Sequence, residues 1–162
     1  MGIKALQVGR TFSHISTYDK RPPFILATNE HPQPDNTPNE EWKPTRWNLK
    51  VLDSRVLAIL KDKSTKITID PSKPDEEIGT QVNQNAYYYE VCALGLDNPE
   101  DFLNDKGDPV KWDTLKRNIA GKSYTVVSNE TLGQIPDFVI QELAEKIIEG
   151  NTVTASEGNA PA

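Results

Sequence analysis

Between Pro136 and Gly150 the apolar residues Ile140, Leu143, Ala144 and Ile147 return every three or four positions, with Val139 and Ile148 beside them. Asp137, Gln141, Glu142, Glu145, Lys146 and Glu149 fall on the other side. That spacing predicts an amphipathic helix over residues 136–149, with one buried face and one wet face. Pro136 suits the first helical position, where no amide partner is needed, and Gly150 suits a left-handed residue after the last turn. A helix of this kind cannot bury its stripe alone, so other elements must cover it.

The same test along the chain gives further elements. Trp47, Leu49 and Val51 alternate with Asn48, Lys50 and Leu52, a strand with one buried face. Asp53 or Ser54 then caps a short helix striped by Val56, Leu57 and Leu60, and residues 65–69 alternate as a second strand. Pro71 to Gly79 reads as an acidic loop, after which Thr80 caps a second main helix running to Leu94 and ended by Gly95. Of the run Tyr87, Tyr88 and Tyr89, successive side chains diverge by about 100°, which leaves Tyr88 off the buried lines. Asp97 to Trp112 reads as a short acidic helical turn, a reversal at Asp105, Lys106 and Gly107, and a return to extended chain at Val110 and Trp112. Residues 122–127, rich in β-branched side chains and bounded by Gly121 and Ser128, form the strand that feeds the last helix.

Residues 1–45 have no such regularity. Ile3 to Val8 and Phe24 to Ala27 are short strand candidates, but six of the twelve prolines (Pro22, Pro23, Pro32, Pro34, Pro38 and Pro44) fall in this part and impose extended or turning geometry. A solvated leader is one reading. The bulky residues Phe12, Tyr18, Phe24, Ile25, Leu26 and Trp42 favour an arm that lies on something, because disordered segments are poor in aromatics. That something is either a neighbouring subunit or the chain's own domain. Phe12, Tyr18, Phe24, Trp42 and Tyr88 are accordingly the candidate partner-interface residues. Residues 151–162 are small and polar and read as a tail.

Composition narrows the function. The hydrophobic fraction of 36% over 162 residues suits one domain with extensions. A formal net charge of -6 argues against nonspecific adhesion to nucleic acid or anionic membrane. No apolar run approaches the roughly 20 residues that span a bilayer, and the opening residues lack a signal-peptide core, so a protein that stays in the cytoplasm, or in something assembled there, is expected. The single cysteine, Cys92, sits among apolar helix residues, far in sequence from His14 and His31, and reads as a small buried hydrophobe. Residues 120–123, Ala-Gly-Lys-Ser, fail as a phosphate loop because Lys116 stands where the first glycine is required and a strand follows instead of a helix. The acidic residues 101–108 fail as a calcium loop, since Phe102 would occupy the first ligand position. The carboxylate pairs, Glu142 with Glu145 among them, read as solvated helix faces. No catalytic, cofactor-binding or metal-ligating residues are therefore assigned.

Trp47, Leu49, Leu52, Gly95, Leu96, Phe102, Asp105, Gly107, Ile135, Pro136 and Leu143 mark an order of elements over residues 47–150. That order resembles small virion and tail-assembly proteins of tailed bacteriophages. The resemblance implies a non-enzymatic structural component of the particle, a capsid decoration, cement or connector-type subunit. Its partners would be other virion proteins, such as major capsid, connector or tail subunits, or further copies of itself, and it would carry no cofactor. A tail assembly chaperone is the alternative, and an enzyme or regulator without recognisable motif a third. The expected architecture is α+β, a small sheet packed by two main amphipathic helices over residues 46–150. An extended proline-rich arm at 1–45 and a polar tail at 151–162 flank it.

Overall fold

The computed structural model describes residues 2–19, 43–68 and 79–157. Phe24, His31 and Trp42, the Phe24–Ala27 strand candidate, most of the acidic loop and the last five residues lie outside them. The described chain runs β1 (Thr11–Ile15), β2 (Arg46–Lys50), α1 (Ser54–Lys63), β3 (Thr65–Thr68), β4 (Gly79–Val82), α2 (Gln84–Gly95), β5 (Leu96–Glu100), β6 (Thr114–Ile119), β7 (Lys122–Val127), α3 (Asn129–Leu132) and α4 (Asp137–Glu157). This is a small α+β fold.

Its centre is the contact between α2 and α4, with β2 and β7 closing the sides. Ile140, Leu143, Ala144 and Ile147 of α4 are all fully buried, as the stripe requires. They meet Val91, Cys92, Ala93 and Leu94 in the second half of α2, which is buried on every side. The helices can approach closely because Gly95 has no side chain: a Cβ there would lie 2.6 Å from Ile147 Cδ1. Gly95 is the last residue of α2, and Leu96, already extended, passes straight into β5.

Three predicted strands exist but do not share one sheet. β2 is the middle of a three-stranded antiparallel sheet ordered β1-β2-β5, while β3 pairs with β4 and β7 with β6 as separate two-stranded ribbons. β5 replaces the expected acidic helical turn. Leu96 is buried, Asp97 pairs with Lys50 at 3.0 Å across the strands, and Pro99, which lacks an amide donor, is tolerated because β5 is a sheet edge. The reversal at Asp105 to Gly107 is present, with Gly107 at φ +83° and a bridge between Leu103 and Pro109. Val110 and Trp112 lie in irregular chain before β6. Ala-Gly at 120–121 is the two-residue turn of the β6–β7 hairpin, with φ of +52° and +83°, the doubly left-handed geometry that a tight hairpin needs.

Other boundaries shift for local reasons. The segment before α2 is β4, and Asn83, not Thr80, caps the helix by accepting from Ala86 N at 3.2 Å. Asp53 caps α1 through Arg55 N at 2.7 Å. The short α3, capped by Ser128, stands between β7 and α4, and α4 then starts after Pro136, whose carbonyl accepts from Ile140 N. Gly150 does not end α4, which continues to Glu157. A Cβ at Gly150 would lie 3.1 Å from the Phe12 ring, so this glycine also marks a close approach.

The chain joins this body from Gly9 onward, where Gly9 N donates to the Val51 carbonyl. Ile3 to Val8 is not a strand. A turn at Gly9, φ +85°, precedes β1, which pairs with β2 from Thr11↔Lys50 to Ile15↔Arg46. The sheet thus begins ahead of residue 46, where the compact domain was expected to start.

Candidate functional site

β1 alternates, turning Phe12 and His14 inward and Thr11, Ser13 and Ile15 outward. Phe12 packs on the core beside Gly150 of α4. Two residues on, His14 reaches the same helix at Glu142. There Glu142 Oε1 accepts from His14 Nε2 at 2.7 Å and Thr17 N at 2.9 Å, while Oε2 accepts from Ser16 Oγ at 2.8 Å and Thr17 Oγ1 at 3.2 Å. The Glu142 side chain is only 12% exposed. Burial alone would push this carboxyl up, but the bonds from Thr17, His14 and Ser16 outweigh it and hold the group below its ordinary value. A carboxylate offers about four lone-pair positions, and four donors occupy them here. Glu142 therefore latches the end of β1 onto α4 and has no position left for a substrate proton. The sequence reading placed Glu142 on a solvated face. It missed this latch because the partners are more than 120 residues away.

The other reactive group is equally committed. Cys92 is fully buried, its Sγ donates to the Ile140 carbonyl at 3.4 Å, and burial pushes the thiol far up. A thiol in that state is not a nucleophile. Among the described residues no cluster of His, Cys, Asp or Glu could hold a metal ion, and no helix is long and apolar enough to cross a membrane.

One surface open to a partner lies beside the latch. Tyr18, immediately after it, and Phe138, in the first turn of α4, are 61% and 50% exposed. Their rings meet edge to face with centroids 4.7 Å apart. They rim a cleft of about 260 Å³ that is also lined by Ser16, Asp19, Thr45, Trp47, Phe102, Pro136 and Val139. Asp19 Oδ2 accepts from Thr45 N at 2.8 Å, joining residues on either side of the undescribed stretch. Phe102 packs on Trp47 with centroids 5.0 Å apart, and it also lines a second cleft of about 330 Å³ toward Trp112, whose buried Nε1 has no hydrogen-bond partner.

Of the three candidate interface residues that are described, Tyr18 alone is mainly exposed. Phe12 is spent on the core edge. Tyr88 is half-buried, accepting from Gln84 Nε2 at 2.8 Å and donating to Glu145 at 3.4 Å, so its hydroxyl serves the α2–α4 contact. Phe24 and Trp42 lie outside the described residues. Phe138 was missed, although its place opposite the buried stripe was a usable signal: a phenylalanine on the wet face of a helix asks for a partner. Comparison with family models, curated proteins and solved structures finds no match to this chain.

Proposed function

We propose that this chain is a non-enzymatic structural component of a tailed-phage particle, a capsid decoration, cement or connector-type subunit that docks on neighbouring virion proteins. The observation that carries the docking role is the exposed Tyr18–Phe138 pair on the rim of an apolar cleft. Large aromatics bring roughly 150–250 Å² of surface each to a contact and dominate interface energetics. Here two of them, drawn from opposite ends of the chain, are held together and facing water. The Glu142 latch fixes the segment that presents Tyr18, so little ordering entropy remains to be lost on docking. The resemblance of residues 47–150 to small virion and tail-assembly proteins supplies the particle as the setting.

Mass spectrometry of purified particles tests the role. The chain is expected in stoichiometric amount with a capsid, connector or tail protein. Its absence from particles, together with copurification with a soluble tail protein, would replace the structural role with that of an assembly chaperone.

A further inference from the structure

The cleft beside Tyr18 has a definite chemical preference. The exposed rings of Tyr18 and Phe138 face it together with the half-buried Phe102 and the buried Trp47. Asp19 adds a carboxylate to the lining. Aromatic faces carry partial negative charge, so rings and carboxylate together favour a cation and disfavour an anion. The flanking Asp137, between the lining residues Pro136 and Phe138, has the same sign, and the chain as a whole is at -6. A volume of about 260 Å³ falls below the roughly 300–1,000 Å³ of metabolite sites and suits one long side chain. Lysine and arginine both bring the charge. Arginine also brings a flat, weakly hydrated guanidinium that stacks on a ring and donates two parallel bonds to a carboxylate. We propose that this cleft receives an arginine side chain from a basic segment of a partner protein. This rests on the docking role proposed above and specifies the partner's chemistry.

The test uses the full chain in solution, titrated with argininamide, lysinamide and citrullinamide, while the ring resonances of Tyr18 and Phe138 and the amide of Asp19 are followed by NMR. Citrullinamide has nearly the shape of argininamide without its charge. Argininamide is expected to give saturable shifts at those three residues, with citrullinamide and lysinamide weaker by about fivefold or more. Tyr18→Ala and Asp19→Asn should each weaken argininamide by about fivefold while the core resonances stay in place. Equal binding of citrullinamide, or shifts that survive both substitutions, would overturn the site. Equal binding of lysinamide would overturn the assignment to arginine. Because the titration needs no particle, the two proposals fail separately. A positive titration with the chain absent from particles removes the virion role alone, and a negative one with the chain present removes the arginine site alone.

Discussion

Glu142 shows how far a residue's role can depart from its place in a local pattern. By spacing it belongs to the wet face of α4, yet its carboxylate is the most heavily engaged in the described structure, with four donors from β1 and the residues after it. Glu142→Gln removes the charge and turns an amide donor toward other donors. A cost of about 2 kcal/mol is expected, within the range for hydrogen bonds to a charged group, read as a lower urea midpoint near neutral pH. The pH dependence follows from the lowered folded pKa. The contribution is present above the ordinary value of 4.5 and is lost as pH falls through the depressed value below it. The gap between wild type and Glu142→Gln should therefore close on acidification; a gap that persists in acid would show that packing, not charge, sets the cost. His14 and Ser16 were legible only as residues of an irregular leader, since nothing in the local sequence says which helix β1 will meet.

Among the elements, those legible in the sequence are the ones whose pattern repeats within a few residues. The α4 stripe, the β2 alternation, the Asp53 cap and the β-branched run of β7 all have local causes. β1, β4, β5 and β6 were missed or misread because an edge or ribbon strand is half wet, and its pairing partner rather than its own pattern decides it. Gly95 and Gly150 illustrate the limit. Both looked like stop signals: Gly95 is indeed the last residue of α2, whereas α4 runs past Gly150 to Glu157, and a Cβ at either would press on another side chain. Gly95→Ala should cost about 1–3 kcal/mol by forcing Ile147 aside, with a thermal midpoint as the measurement; an unchanged midpoint would mean that α2 and α4 slide freely. Ala120 is the opposite case. It holds a left-handed φ that costs a residue with a Cβ about 1–2 kcal/mol, so Ala120→Asn, suited to this turn, should gain about 0.5–1 kcal/mol. Loss of stability instead would show that the alanine methyl has a packing role.

For the whole molecule, the β1 segment and α4 are tied to one another. β1 completes the sheet on β2, Phe12 covers Gly150 and Glu142 is latched by the residues that follow β1. Deletion of residues 1–44 should therefore destabilise the domain by about 2 kcal/mol or more, the order of losing hydrogen bonds to a charged group such as those on Glu142, in denaturant titration. A shortened chain as stable as the full one would show that the first segment only leans on the fold. The sequence by itself determined the α+β class, the buried stripe of α4, the strands at 46–50 and 122–127 and the thiol's burial, because periodicity and composition act over one or two turns of chain. Only the tertiary structure decided that the predicted strands join three different sheets, that Gly95 and Gly150 are contact points, and that Tyr18 and Phe138 stand together over one cleft. Each of these depends on residues far apart in the chain, whose meeting is fixed by the packing of α4 against α2 and β2 and by the seating of β1 beside them.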